Sequence, residues 1–296
     1  MNQPLNSEHA KGAQQAVKHR SSPHFRDRDQ DQAYQNAGCH TMALLDAAQV
    51  QTLRDLFQTL LPDLPQGFAS TVLMPPALRQ QAHNAICDVL ADPLGRVLTD
   101  FRIVLASLVA RAPGSDQRDL PLHQDWSFVN ETTARSISVW IPLQDVDTAN
   151  GCLQVVPGSH LLDQPLLGIG AGFRYRANEP ELREKYLTDL PLPAGKAAFF
   201  DHRLIHGSRG NVTAHPRLAV GAVLLARDVP LHMGLPNATQ SWDFATRPDD
   251  FLLNADLDQL ARTGSGSGSA SGSGLASGSG SGSGSEAGSA PETDGN

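Results

Sequence analysis

After Gly95 the chain follows a hydrophobic period of two, and this feature restricts its possible folds more than any other. The segment SISVWIPL alternates apolar residues with small or polar ones, which is the pattern of a β-strand. Further strand-like segments follow, separated by glycine, proline and asparagine: FRIVLASLVAR, CLQVV, KAAFFDHRLIHG and PRLAVGAVLLARD. Because many short strands occur without helices between them, the pattern predicts a β-sandwich or barrel.

Two helical patterns precede these strands. In DAAQVQTLRDLFQTLL, Asp46 is the predicted N-cap, and apolar residues recur at helical spacing at Val50, Leu53, Phe57 and Leu60. In PPALRQQAHNAICDVLADPL, Pro76 suits a first helical turn, and the apolar stripe consists of Leu78, Ala82, Ile86 and Val89. The expected fold class is therefore mainly β with flanking helices.

Composition divides the chain into three parts. Residues 1–40 are polar and mixed in charge, and residues 263–296 consist almost wholly of glycine, serine and alanine. Neither part can bury enough apolar area to offset the entropy of ordering, so a disordered N-terminal segment and a flexible tail are predicted. Residues 41–262 remain as one domain. Within it, residues 164–192 form a long polar insertion, of the kind that serves as a functional lid or stays disordered.

The net charge and the short apolar runs of the chain argue against nucleic-acid and membrane partners. The formal net charge is −8, and no basic block could follow a phosphate backbone, which argues against nucleic-acid binding. No apolar run has the length of a membrane span and the N-terminus has no signal-like apolar region, so neither membrane insertion nor secretion is expected. The three cysteines follow no zinc or disulfide pattern and are typical of a reducing compartment. We expect a cytoplasmic protein, and the oligomeric state stays open.

The segment LHQDWSF contains a candidate metal site. If it is a strand, His123 and Asp125 point to the same face about 7 Å apart, at a rise of about 3.3 Å per residue, and can converge on one cation. The alternative is a strand histidine hydrogen-bonded to the neighbouring carboxylate. A third ligand would have to lie downstream, and several histidines are available there: His160, His202, His206, His215 and His232.

Among these histidines, His206 has the most suggestive context. It ends a strand-like segment, and a glycine-containing turn then leads to a strand that begins at Arg217. Two histidines and one carboxylate on one face match the facial triad of non-haem Fe(II) oxygenases. A cation beside such a metal can pair with the distal carboxylate of an organic acid that chelates it. The alternative for Arg217 is a surface arginine paired with an acidic residue.

Three motifs occur in a specific order: LHQDWSF, then SVWIPLQDVDTANGCLQVVPGSH, then AGKAAFFDHRLIHGS continuing through Asn211 to Arg217. In this order the chain resembles the phytanoyl-CoA dioxygenase family of Fe(II)/2-oxoglutarate-dependent oxygenases over residues 45–228. The resemblance implies a double-stranded β-helix, a jelly-roll barrel of the cupin-like kind, with helices packed outside. The segment NGCLQVVPGSH is distinctive, but we interpret Asn150 and Gly151 as a turn and Pro157 and Gly158 as the entry to the insertion, with His160 in a structural role.

The resemblance also implies roles for individual residues. It makes His123, Asp125 and His206 the ligands of Fe(II). Arg217 becomes the partner of the C5 carboxylate of 2-oxoglutarate. The further candidates for the co-substrate pocket are Trp140, as an aromatic lining, and Ser208, as a hydrogen-bonding group.

The implied reaction uses Fe(II), 2-oxoglutarate and O2. Three protein ligands leave three iron positions, of which 2-oxoglutarate takes two and O2 the third. The expected outcome is hydroxylation of a C–H bond of a small molecule, with release of succinate and CO2. Halogenation is disfavoured because Asp125 is intact. Desaturation, cyclisation and epimerisation stay open as other outcomes, and a non-catalytic metal-binding jelly roll is an alternative against which Arg217 argues.

The insertion, LLDQPLLGIGAGFRYRANEPELREKYLTDL, is expected near the mouth of the barrel because it follows PGSH and ends before the strand leading to His206. ELREKYL is predicted to form a short covering helix. The candidate substrate-binding residues are Trp126, Arg174 and Arg176, the two arginines acting on an anionic group from a lid. The alternative is a solvated loop in which these arginines pair with Glu179, Glu181 and Glu184.

Overall fold

A computed structural model describes residues 23–64, 67–114, 119–131, 133–134, 136–162, 165–239 and 241–264. These residues form twelve strands: β1 (Cys39–Ala43), β2 (Phe68–Ser70), β3 (Phe101–Arg111), β4 (Leu120–His123), β5 (Ser136–Pro142), β6 (Leu153–Val155), β7 (Thr188–Leu190), β8 (Lys196–Asp201), β9 (His206–Ser208), β10 (Arg217–Ala226), β11 (His232–Pro236) and β12 (Trp242–Thr246). They also form six α-helices: α1 (Arg28–Ala37), α2 (Ala47–Leu60), α3 (Pro76–Val97), α4 (Glu179–Lys185), α5 (Phe251–Asn254) and α6 (Leu257–Gly264).

Two antiparallel sheets make up the barrel. The larger has the strand order β1-β8-β5-β10-β3-β2, and the smaller has the order β4-β9-β6-β7. The inner faces pack together, because one hydrophobic cluster joins Trp140, Ala198 and Ala219 of the large sheet to Leu153 and Val155 of the small one. The predicted mainly β architecture with flanking helices is confirmed.

Strand β5 is buried on both faces, and its two faces differ in chemistry. Its apolar residues, Ile137, Val139 and Ile141, belong to the main core with residues of α2 and α3. The alternate set, which includes Ser138 and Trp140, lies on the other side of the strand, toward the barrel interior. The period of two therefore separates a helix-facing side from an interior-facing side.

The helices on the large sheet begin where the sequence predicts. Asp46 accepts a hydrogen bond from the Gln49 backbone N–H at 2.9 Å and forms a complete capping box with the Gln49 side chain. Pro76 stands in the first turn of α3. These helices cover the outer face of the large sheet through a stripe of fully buried residues that includes Leu53, Ile86 and Leu90.

The prediction of a disordered segment over residues 1–40 is wrong for residues 23–40. Asp27 caps α1, β1 pairs with β8 from Cys39↔Phe200 onward, and the side chains of Phe25 and Tyr34 are 1% and 0% exposed. The segment has low average hydrophobicity, but its two buried aromatic residues and the pairing of β1 with β8 attach it to the large sheet. The domain boundary at residue 41 is therefore too late. Residues 1–22 and 265–296 lie outside the described residues.

The insertion contributes to the barrel. The predicted covering helix exists as α4, beginning two residues before the predicted segment, and β7 is the last strand of the small sheet. Residues 165–178 form the loop that precedes α4. The last part of the predicted insertion, Thr188–Leu190, is therefore structurally part of the small sheet, because β7 pairs with β6.

The C-terminal hairpin β11–β12 and helices α5 and α6 cover a second hydrophobic cluster. Leu231, Met233, Leu252 and Leu257 pack there with Leu225 of β10. Within the described ranges, no helix combines the length and apolar content that crossing a bilayer requires.

Candidate metal centre

The small sheet brings the three predicted ligands together. Strands β4 and β9 are antiparallel neighbours in which His123 and His206 are register partners, and Asp125 follows two residues after His123. One ligand atom from each of the three side chains lies within 4.8 Å of the other two. The Asp125 Oδ1 to His206 Nε2 distance is 3.6 Å. This arrangement of two imidazoles and one carboxylate could hold a metal ion.

Backbone carbonyls orient both imidazole rings. The Nδ1 of His123 is 2.9 Å from the carbonyl oxygen of Pro121, and the Nδ1 of His206 is 2.9 Å from that of Leu204. Because a carbonyl only accepts, each Nδ1 carries the proton and each Nε2 presents its lone pair. These residues fit a divalent metal ion such as Fe(II), for which two imidazoles and one carboxylate are a typical ligand set.

The protonation states also suit metal binding. Burial lowers the pKa of His123, and the neighbouring His206 lowers it further, so the ring is held neutral. Burial raises the pKa of Asp125, but the nearby histidines and a hydrogen bond from Ser138 outweigh that effect and lower it overall. A neutral imidazole beside an ionised carboxylate is the form that binds a cation.

Further side chains fix the ligands in place. The Ser138 hydroxyl donates to Asp125 Oδ2 at 2.6 Å, so the Oδ1 atom is the one directed at His206. The Phe200 ring lies 4.7 Å from the His206 ring between centroids. The Phe173 ring of the insertion meets His123 edge-on at 5.8 Å. Ligands held by packing and hydrogen bonds lose less entropy when they bind a metal.

Arg217 is a buried cation with no acidic partner among the described residues. Its side chain is 1% exposed, and neither Nε nor one terminal nitrogen has a hydrogen-bond partner there. Burial and the charge of the register partner Arg111 lower its pKa to about 9. Its guanidinium lies 5.3 Å from the centroid of the Trp140 ring. A buried guanidinium with free donors fits the carboxylate of a 2-oxoglutarate molecule, which would satisfy both its charge and its hydrogen bonds.

Ser208 lies two residues after His206 on β9, on the same face of the strand. Its hydroxyl is buried and has no hydrogen-bond partner among the described residues. A role as a hydrogen-bonding group for the co-substrate stays a prediction.

The candidate substrate residues occupy different environments. Trp126 is buried in the second hydrophobic cluster with Phe128 and Leu231. Arg174 and Arg176 are both exposed on the insertion. The guanidinium of Arg176 lies 5.6 Å from the Phe173 ring, which itself contacts His123, so Arg176 is within two side-chain contacts of the metal centre.

His202 lies near the candidate metal centre, and the sequence suggested it only as one of several alternatives for the third ligand. His202 is 1% exposed, and its Nδ1 hydrogen-bonds with the Ser136 hydroxyl. Its charge contributes to lowering the pKa of Asp125, and its backbone carbonyl accepts from the Asp125 N–H at 3.1 Å. A sequence feature could have predicted this position: His202 and His206 flank the turn between two strands, so both lie close to the same turn.

The other downstream histidines do not belong to the group of three. His160 is buried, and its Nε2 hydrogen-bonds with the backbone carbonyl of Gln35, consistent with the structural role predicted for it. His215 is exposed, and His232 stacks on Phe244 of the C-terminal hairpin.

Sequence comparison places the chain among known proteins. A family model described as "Phytanoyl-CoA dioxygenase (PhyH)" matches residues 7–219. The "Phytanoyl-CoA dioxygenase domain-containing protein 1" of Rattus norvegicus is 26% identical over 151 residues, which are 49% of this chain and 51% of the relative. The "Ectoine dioxygenase" of Nocardia farcinica is 34% identical over 97 residues, which are 28% of this chain and 33% of the relative. The chain thus spans about half the length of the first of these curated relatives.

Structure comparison confirms the jelly-roll fold. The carbocyclase SnoK from nogalamycin biosynthesis, described as non-haem and α-ketoglutarate-dependent, superposes with a TM-score of 0.52 at 20% identity, covering 71% of this chain and 89% of that chain. EctD from S. alaskensis with 2-oxoglutarate and 5-hydroxyectoine superposes with a TM-score of 0.52 at 23% identity, covering 78% of this chain and 86% of that chain.

Proposed function

The chain belongs to the phytanoyl-CoA dioxygenase family, and from this we propose that it is an Fe(II)/2-oxoglutarate-dependent dioxygenase acting on a small molecule. The single observation that carries the proposal is the buried guanidinium of Arg217, which has no acidic partner among the described residues and lies in the same barrel as the triad. A non-catalytic metal-binding jelly roll would need the three ligands but would have no use for this buried cation.

Each group of the site has a defined part in the reaction. When bound, Fe(II) and 2-oxoglutarate use O2 to convert a substrate C–H bond into C–OH, with succinate and CO2 as co-products. His123, Asp125 and His206 would hold the metal ion. Arg217, with Trp140 packed on it, would bind and orient the distal carboxylate of the co-substrate. Phe173 covers the His123 ring and limits the access of water to this side.

The substrate we infer carries an anionic group. Four other charged side chains of the insertion pair within it, Glu179 with Arg183 and Glu181 with Lys185. Arg174 and Arg176 form no ion pair with a described residue, in contrast to the solvated-loop alternative. Two exposed arginines that form no ion pair within the described part of the chain, one of them in contact with Phe173 beside His123, suit an anionic substrate in a chain of net charge −8.

Turnover with a metabolite panel tests the function. The purified protein is incubated in air with Fe(II), 2-oxoglutarate and fractionated metabolites, and succinate and product masses are followed. Hydroxylation adds one oxygen atom, desaturation or cyclisation removes two hydrogens, and epimerisation leaves the mass unchanged. Loss of one ligand in His206→Ala should abolish succinate formation, whereas His215→Ala, an exposed histidine outside the triad, should leave it unchanged. Equal succinate formation by wild type and folded His206→Ala would refute the triad.

A further inference from the structure

The strand that carries His123 is an edge strand with an irregular ladder. Strand β4 lies at the end of the small sheet, and its register with β9 shifts between Leu120 and His123. On its outer side, none of the described strands pairs with it. An edge strand of four residues with one imperfect neighbour has few hydrogen bonds to hold its position.

Side chains of the insertion contact β4 on the side where no described strand pairs with it. We call residues 173–185 the clamp segment. Along it, Phe173 packs edge-on against His123, and the Tyr175 hydroxyl donates to Gln124 at 2.7 Å. Glu179 accepts a hydrogen bond from the Leu122 backbone N–H at 3.2 Å. The clamp segment thus contacts three consecutive residues of the chain around the metal ligand.

Arg183 links the clamp segment to other parts of the small sheet through hydrogen bonds. Its guanidinium donates to Asp119 at 2.8 Å, to Gln154 of β6 at 2.9 Å and to Glu179 at 2.6 Å. It also donates to the backbone carbonyl of Leu120 at 3.3 Å. Asp119, Glu179 and Arg183 are only 24%, 17% and 23% exposed, so solvent screens these contacts less than it screens a surface ion pair.

Asp119 connects Arg183 to the chain that follows His206. It accepts from the Gly210 backbone N–H at 3.0 Å and lies 3.4 Å from Arg209, which follows β9 directly. Arg209 in turn pairs with Asp189 of β7 at 3.0 Å. One network of charged groups therefore connects α4 with the strands that carry both imidazole ligands.

We propose that the clamp segment positions β4 for metal binding, with Arg183 and Glu179 as positioning residues, so that docking of the insertion and metal loading are coupled. The proposal deepens the proposed function, because it rests on the triad as the metal site. Thermodynamic linkage makes the coupling reciprocal: a docked clamp strengthens metal binding, and bound metal stabilises the docked clamp by the same free energy. Since the same segment carries Arg174 and Arg176, the coupling also joins metal loading to the proposed substrate contacts.

Metal affinity and amide exchange test the proposal without turnover. Anaerobic Fe(II) affinity is measured by equilibrium dialysis for wild type, Arg183→Ala, Arg183→Lys and Lys185→Ala. Lys185 is the matched control, because it lies on the same helix and pairs with Glu181 at more than half exposure on both sides. We expect Arg183→Ala to weaken Fe(II) binding on the order of tenfold, Arg183→Lys to recover part of the loss, and Lys185→Ala to bind as wild type does.

Hydrogen exchange supplies the reciprocal readout. Fe(II) should slow amide exchange in residues 173–187 of the wild type, and this protection should be lost in Arg183→Ala, whereas a merely structural role would leave the metal-induced difference in place. If Arg183→Ala does not fold, Glu179→Gln carries the same test at the Leu122 contact. Wild-type Fe(II) affinity and protection in the folded variant would overturn the clamp alone. Failure of the wild type to bind Fe(II) would overturn the triad, and with it both proposals.

Discussion

At Arg217 the chain buries a guanidinium that none of the described residues neutralises. Burial disfavours the charge and lowers the pKa, but to about 9, so the group stays protonated at neutral pH. A lone buried cation costs several kcal/mol, and proteins retain one where a ligand supplies the opposite charge. The Trp140 ring packed at 5.3 Å limits the space and fixes the orientation of the guanidinium.

Removal of this cation should weaken binding of the co-substrate specifically. In Arg217→Ala the carboxylate of 2-oxoglutarate would be left unpaired, at a cost of roughly 2–5 kcal/mol. At about 1.4 kcal/mol per decade, the apparent 2-oxoglutarate constant should rise about 30-fold or more, measured by succinate formation at varied 2-oxoglutarate. Arg217→Lys, which keeps the charge but not the paired donors, should fall between. A constant unchanged from wild type would mean that another cation binds the co-substrate.

Glu131 gives a second prediction at this scale. Burial, followed by the nearby Asp201, raises its pKa to about 8, even though Arg203 lies 3.2 Å away. Between its ordinary value of 4.5 and about 8, the unfolded chain has lost this proton and the folded chain retains it, so its contribution to stability declines as pH rises through that window. Glu131→Gln should remove this dependence, because the amide mimics the protonated acid.

The measurement is the free energy of unfolding of both proteins, obtained from their unfolding transitions at pH 5 to pH 8. The free energy of unfolding of Glu131→Gln relative to wild type should increase with pH, by at least about 1 kcal/mol over the range. The exposed Glu184→Gln should show no such trend. A constant difference between Glu131→Gln and wild type across the range would show that Glu131 is ionised in the folded protein.

At the scale of elements, α1 and β1 show how a polar segment becomes part of a fold. Phe25 packs edge-on against Phe199 of the large sheet at 5.2 Å, and Tyr34 is completely buried. Gly38, at φ 75°, ends α1 in the left-handed region, and a side chain there would collide with His160. Anchors of this kind lie far apart in the sequence from the surfaces they cover.

Truncation before residue 40 should therefore destabilise the protein. It removes two buried aromatic side chains, and Phe→Ala changes in cores cost about 3–5 kcal/mol. We expect Phe25→Ala alone to lower the free energy of unfolding by about that amount in urea titrations, and deletion of residues 1–40 to lower it further. Gln32→Ala, on the exposed side of α1, is the control. Unchanged stability of the deletion would show that the segment does not contribute to the barrel.

The insertion is the other element with a testable role. Charge reversal in Arg174→Glu/Arg176→Glu should raise the apparent constant for an anionic substrate and leave the 2-oxoglutarate constant unchanged, because Arg217 lies elsewhere in the barrel. Lys185→Glu, on the same insertion but paired away from the site, is the matched control. Steady-state kinetics with the identified substrate provide both constants. If the double variant has the same apparent substrate constant as wild type, residues of the barrel wall and not these arginines determine substrate specificity.

At the scale of the whole molecule, the two sheets decide what the interior contains. The large sheet turns its apolar face to α2 and α3, and its interior face brings Ser138, Trp140 and Arg217 toward the small sheet that carries the triad. The molecule thus has a hydrophobic core between the large sheet and the helices and a more polar interior around the candidate metal centre. This division lets the structure bury charged and hydroxyl groups without loss of its main hydrophobic core.

The sequence by itself determined the features that depend on neighbouring residues. The period of two predicts the strands, and Asp46 and Pro76 predict helix starts. The spacing of His123 and Asp125 predicts that both side chains point to one side, and they do converge there although β4 ends at His123 and Asp125 follows it. The order of motifs then singled out His206 as the predicted third ligand, and the structure brings its side chain together with those of His123 and Asp125. Only the tertiary structure decided which surfaces meet. It buried Phe25 and Tyr34, left Arg217 without an acidic partner among the described residues, and joined Arg183 to Asp119 across 64 residues of chain. The physical reason is that burial and ion pairing depend on distances in space, whereas periodicity and capping depend on distances along the chain.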